Sequence, residues 1–144
     1  MTHPKDYRPT MADQDKRSAE LLAADPPKPK MRKVVIESPF ATKDPDEAVR
    51  NVRYVRAAVR DCLKRGEAPF ASHALYTLPG ILDDTSQEER QVGMRAGFAW
   101  GEIADAIVVY TDLGITSGMK GGMTRARNRG QAVEERSLGA AWDD

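Results

Sequence analysis

"VVYTDLGITSGMKGGMTRARNRG" spans Val108 to Gly130, and the fold turns on how it is read. A β-branched apolar run stops at a short polar loop. A glycine-rich helix then starts at Ser117 and Gly118. A strand that feeds straight into a helix is the repeating unit of a parallel sheet, because parallel neighbours need a crossover between them.

Working outward, "DAIVVYTD" (Asp105 to Asp112) is the strand itself, and Gly130 ends the helix before a further strand in "QAVEERSL" (Gln131 to Leu138). Upstream, "KVVIESPF" (Lys33 to Phe40) is another short apolar run of the buried parallel kind. "KDPDEAVRNVRYVRAAVRDCLKRGEAP" follows as a punctuated helix: Asp44 as N-cap, Pro45 first inside, Glu47 completing a capping-box-like pair, Gly66 as the stop. Ala48, Val52, Val55, Val59, Cys62 and Leu63 recur at helical spacing, opposite a solvated face of Arg50, Arg53, Arg60 and Lys64. "APFAS" (Ala68 to Ser72) is a short strand, and "HALYTLPGILDDTSQ" a loop with one helical turn. Thr85 or Ser86 then caps a helix over "QEERQVGMRAGFAWGEIA". The order β-α-β-α-β-α-β requires a parallel sheet with right-handed crossovers and helices on both faces.

Residues 1–32 read as a flexible tail and 33–144 as the domain. Pro4, Pro9, Pro26, Pro27 and Pro29 punctuate mixed charge around one apolar patch, Leu21 to Ala24. So little apolar surface does not offset the entropy of ordering. A mobile arm is the expectation here, with a short helix over Lys16 to Ala24 as the alternative.

The chain has 144 residues, 40% hydrophobic and 31% charged, with a formal net charge of zero. That supports one modest core and no basic surface for nucleic acid. A single cysteine, Cys62, cannot form an internal disulfide, and no run is long enough to span a membrane. A cytoplasmic protein is expected. Two histidines, His3 and His73, stand far apart, so no metal-ligand spacing exists and no cofactor is implied.

In an open parallel sheet the ligand crevice lies beyond the carboxyl ends of the strands. Three loops meet that rule, in "ESPFA", "SHALYT" and "TDLGITSGM". They offer Ser38, Pro39 and Phe40; Ser72, His73, Tyr76 and Thr77; and Asp112, Thr116, Ser117, Gly118 and Met119. Hydroxyls for a sugar or phosphate, aromatics for a base and one imidazole suit a nucleoside or nucleotide. Ser117 and Gly118 open a helix whose free N–H groups favour an anion, although Ser117 as a mere cap reads equally well. His73 titrates near neutral pH and is the candidate acid or base. Glu102 either reaches the crevice or is solvated, and Trp100 belongs to the core or to a subunit interface.

"KVVIESPF", "DAIVVYTD" and "SGMKGGMTRARNRGQAV" together resemble the nucleoside 2-deoxyribosyltransferase-like family, over Lys33 to about Val133. "ESPFA", "APFASHALYT" and "YTDLGITSGM" look like its phage branch of unassigned function. The resemblance implies a flavodoxin- or Rossmann-like three-layer sandwich of four to five parallel strands, and a homo-oligomer. It also implies exchange or hydrolysis of the bond between a base and 2-deoxyribose, in nucleosides or their monophosphates. Such enzymes carry a nucleophilic glutamate in a pattern Ser-Gly-x-x-x-Glu, with alanine four residues on. Ser117, Gly118 and Ala126 match, but the glutamate position falls on Gly122, and that of an assisting upstream aspartate on Gly97. His73, Asp112 and Glu102 are the candidates to take over catalysis. The alternative is a protein that binds or sequesters a nucleotide without turnover.

Overall fold

In the computed structural model the structure describes residues 10–23 and 30–144, and the chain divides into a unit of residues 1–30 and one of residues 31–144. The first contains α1 (Met11–Ala23). Thr10 starts this helix by exchanging hydrogen bonds with Asp13, Thr10 Oγ accepting from the Asp13 N–H and the Asp13 carboxylate accepting in return. The alternative reading, a short helix over Lys16 to Ala24, has its counterpart in α1, which begins earlier, at Met11. The tail prolines and His3 lie outside the described residues.

The second unit runs β1 (Lys33–Glu37), α2 (Pro45–Lys64), β2 (Ala68–Phe70), α3 (Ser72–Leu75), α4 (Gln87–Ile103), β3 (Ala106–Tyr110), α5 (Ser117–Asn128) and β4 (Ala132–Arg136), and closes on a short 3-10 turn at Ala140–Asp143. All pairings are parallel and the strand order is β2-β1-β3-β4. This is the Rossmann-like α/β sheet expected from the alternation of elements. The chain steps from β1 to β2 on one side and from β3 to β4 on the other, so the switch point lies between β1 and β3.

Pleat parity divides the core. Val34, Ile36, Ala106, Val108 and Tyr110 pack on one face with Tyr54, Val55, Ala58 and Cys62 of α2. Ile107 and Val109, with Val35 beside them, pack on the other face with Met119, Met123 and Ala126 of α5. The buried face of α2 is thus set by Asn51, Tyr54, Val55, Ala58 and Cys62, while Leu63 is exposed. The large Tyr54 is fully buried in the α2–sheet layer, whereas Val52 and Val59 of the aliphatic stripe are half-buried.

The helix ends follow their local chemistry. Asp44 accepts from the N–H groups of Asp46 and Glu47, with Pro45 first inside the helix. Glu47 does not close the box; its carboxylate accepts from the Thr42 hydroxyl instead. Ser86, not Thr85, caps α4. At the end of α2, Gly66 adopts φ +78°, a conformation that a side chain would strain.

A buried polar layer ties α2 and β2 to β4. Arg136 makes two parallel hydrogen bonds to Glu67, at 2.7 and 2.8 Å, while the Tyr110 hydroxyl donates to Asp61. Cys62 is a packing residue within this layer, its Sγ 3.3 Å from the Tyr110 oxygen.

Candidate functional site

The second face of the sheet is only partly covered. Between α4, α5 and the carboxyl ends of β1 and β3 lies a cavity of about 520 Å³. Its floor is Val35, Glu37 and Ile107; α4 contributes Gly93, Gly97 and Gly101, and α5 contributes Gly118, Gly121 and Gly122. Side chains at the facing glycines would narrow the space. The crevice rule thus holds at the switch point.

Most of the expected site residues meet there. Ser38, Phe40, Ser72, His73, Tyr76, Thr77, Thr116, Ser117, Gly118 and Met119 all line the cavity. Ser38 and His73 are joined at 2.9 Å between Oγ and Nε2, and the Phe40 ring meets the imidazole edge-on at 5.0 Å. Burial among these neighbours lowers the His73 pKa to about 4, so the ring is neutral at physiological pH. Thr77 Oγ donates to the His73 carbonyl and steadies the one-turn helix α3 that carries the ring. Helix α5 is capped by Thr116, whose hydroxyl accepts from the Met119 N–H. Ser117 is therefore the first helical residue rather than the cap, and its side chain is exposed at the cavity rim.

Three expected residues lie elsewhere. Asp112 accepts from the Tyr54 and Ser137 hydroxyls and from the N–H groups of Leu138 and Gly139. Burial alone would raise its pKa, but these hydrogen bonds outweigh that and hold it down to about 2. It anchors the segment after β4 and does not line the cavity. Glu102 is exposed on the outside of α4, since it follows Gly101 directly and lies about 100° around the helix from the inward-facing row of glycines. Pro39 is buried behind the loop, outside the lining.

Three carboxylates that the sequence did not connect to the crevice line the cavity: Asp84, which is exposed, Glu89, and Glu37 on the sheet. Glu37, the last residue of β1, projects from the α5 face into the cavity. Desolvation raises its pKa to about 7, partly offset by the positive charge of Arg125, whose guanidinium lies 3.7 Å from the Phe98 ring centroid. Alternation was the available signal: Val34 and Ile36 share one face, so Val35 and Glu37 share the other. The cavity also takes in Arg90, Arg125 and Arg129, which the sequence reading did not connect to the crevice.

A parallel α/β domain with a cavity at its switch point is the class that this fold and site define. Within that class the chain belongs to the family described as "Domain of unknown function (DUF7768)", whose model matches residues 32–136. No curated protein matches it in sequence. Among solved structures it is similar to a 2-deoxyribosyltransferase from Bacillus psychrosaccharolyticus, a psychrotolerant bacterium, described as a biocatalyst for nucleoside synthesis. The TM-score is 0.52 at 20% identity, over 75% of this chain and 74% of that one. At that identity the likeness establishes a shared fold.

Proposed function

We propose that this protein handles a nucleoside or its monophosphate, acting on or binding the region of the N-glycosidic bond. One observation carries the reading: a single cavity at the switch point collects the Ser38–His73 pair, Phe40, Tyr76 and the start of α5. Phe40 and Tyr76 offer aromatic surface to a base. The hydroxyls of Ser38, Ser72, Thr77 and Ser117 suit a sugar, and the N–H groups at the start of α5 suit a phosphate. The structural likeness to a 2-deoxyribosyltransferase supports the same reading at the level of the fold. His73, neutral at physiological pH, is suited to accept or relay a hydrogen bond rather than to carry a charge.

The test is to incubate the purified protein with each common nucleoside, deoxynucleoside and monophosphate and to look for free base by chromatography. Calorimetry with the same panel reads binding. Base release from one class identifies an enzyme. Binding in the micromolar range without product identifies the second reading, a nucleotide-binding or sequestering protein. That second reading is favoured by Gly122 standing where the resemblance expects a nucleophile. A folded sample that neither binds nor releases base overturns both.

The protein acts as a homo-oligomer in this reading, through its long helices. Val92, Trp100 and Ile103 of α4 are all exposed apolar side chains that a second copy would cover. A monomer by light scattering at high micromolar concentration contradicts this. The buried single thiol, Cys62, fits a cytoplasmic setting.

A further inference from the structure

Resting on the reading just given, the cavity still needs a group to do chemistry on the glycosidic bond, and two residues from distant parts of the chain point to it. Gly122 lies on the buried face of α5, in step with Met119, Met123 and Ala126. A Cβ built on Gly122 would stand 2.8 Å from the Glu37 carboxyl carbon and closer still to its Oε1. The carboxylate therefore occupies the space in which a side chain on Gly122 would begin. It takes no hydrogen bond from the described residues, and Arg125, the cation whose charge acts on it, is stacked on Phe98. An unpaired carboxyl in a partly desolvated cavity costs stability that an apolar residue at the end of β1 would not. Such a cost is characteristic of a functional position. Glu37 also immediately precedes Ser38, whose hydroxyl is already engaged with His73 in the same cavity.

We propose that Glu37 is the nucleophile of this site, delivered from the end of β1, and that Gly122 is glycine so that the carboxylate can lie against α5. A Glu37 oxygen forms a bond to the sugar carbon that bears the base. The carbon–nitrogen bond breaks, its electron pair leaves on the base nitrogen, and that nitrogen takes a proton from solvent. The resulting sugar ester of Glu37 is then attacked at the same carbon by water, which loses its proton, or by the nitrogen of a second base. The ester carbon–oxygen bond breaks and the carboxylate is restored.

The experiment uses the full-length protein and the substrate that releases most base in the panel above. Glu37→Gln is nearly isosteric and is expected to lower base release by about a thousandfold or more while calorimetric affinity changes less than tenfold. With the 2-deoxy-2-fluoro analogue of that substrate, whose ester turns over slowly, intact-mass spectrometry is expected to show one sugar added, and tandem fragmentation to place it on Glu37. The double variant Glu37→Ala, Gly122→Glu returns a carboxylate to the same space from the other side, and is expected to regain activity over Glu37→Ala alone. Full activity of Glu37→Gln, or an adduct on another residue, overturns the assignment and leaves the nucleoside reading standing. A wild-type protein that binds but never releases base overturns the nucleophile and retains nucleotide binding. Failure to bind removes the reading itself.

Discussion

Ser38 Oγ and His73 Nε2 lie 2.9 Å apart, joining the loop after β1 to the short helix after β2 across the mouth of the cavity. The bond engages Nε2 and holds the orientation of a neutral imidazole. Removing the hydroxyl in Ser38→Ala leaves the ring free to turn. One such hydrogen bond is worth about 1 kcal/mol. Ser38→Ala is expected to weaken nucleotide binding or turnover about fivefold to tenfold. Calorimetry and base-release assays read the change, and His73→Gln should not add the full cost again if the pair acts as a unit.

Asp112 serves the fold. Its carboxylate gathers donors from α2 and from the segment after β4, including the hydroxyl of the fully buried Tyr54. Asp112→Ala leaves these donors without their charged acceptor and is expected to cost about 2–4 kcal/mol. The midpoint of thermal unfolding should fall on the order of 10 °C. Activity per folded molecule should remain close to wild type at low temperature. A loss of turnover without a loss of stability would return Asp112 to the catalytic set.

The cavity's titratable groups make stability depend on pH in opposite senses. Burial raises Glu37 from 4.5 to about 7, so the folded state holds a proton that the unfolded chain has released. That contribution is complete below pH 4.5 and is lost as pH rises through 7. Burial lowers His73 from 6.5 to about 4, so its contribution is present above pH 6.5 and is lost as pH falls through 4. Glu37→Gln should therefore raise the unfolding temperature at pH 8 relative to wild type, with the gain vanishing near pH 4.5. What remains in that variant should be the acid-side loss due to His73. Differential scanning calorimetry across this range reads both slopes, and a gain independent of pH would contradict the desolvated carboxyl.

Gly97 on α4 faces Ser72, and a Cβ there would meet the Ser72 Oγ at 2.8 Å and its Cβ at 3.0 Å. Ser72 begins the turn that carries His73. Gly97→Ala is expected to cost about 1–3 kcal/mol through overpacking and to displace the imidazole. Ligand affinity should fall with stability. If binding survives intact while the midpoint drops, the α3 turn is more forgiving than its close contact with α4 implies.

How much of this was legible beforehand differs from residue to residue. Asp44, Pro45 and Gly66 announced α2 because a cap, a fixed φ and a left-handed turn are settled within a few residues of chain. The loops after β1, β2 and β3 placed Ser38, His73 and Ser117 together because a parallel sheet brings its strand ends to one edge. Asp112 looked equally well placed, yet hydroxyls from Tyr54 and Ser137 claimed it, and no local pattern pairs those positions. Glu102 fell on the wrong side of a helix whose orientation is set by glycines packing inward.

The sequence alone thus determined the alternation of elements, the parallel sheet and the edge at which a ligand can sit, since these follow from periodicity and chain connectivity. Only the tertiary structure decided that a carboxylate of the sheet itself enters the cavity. Pleat parity turns Glu37 toward α5, and the missing side chain at Gly122 leaves it room. That complementarity joins residues far apart in the chain, and it exists only once the helix has docked on the sheet.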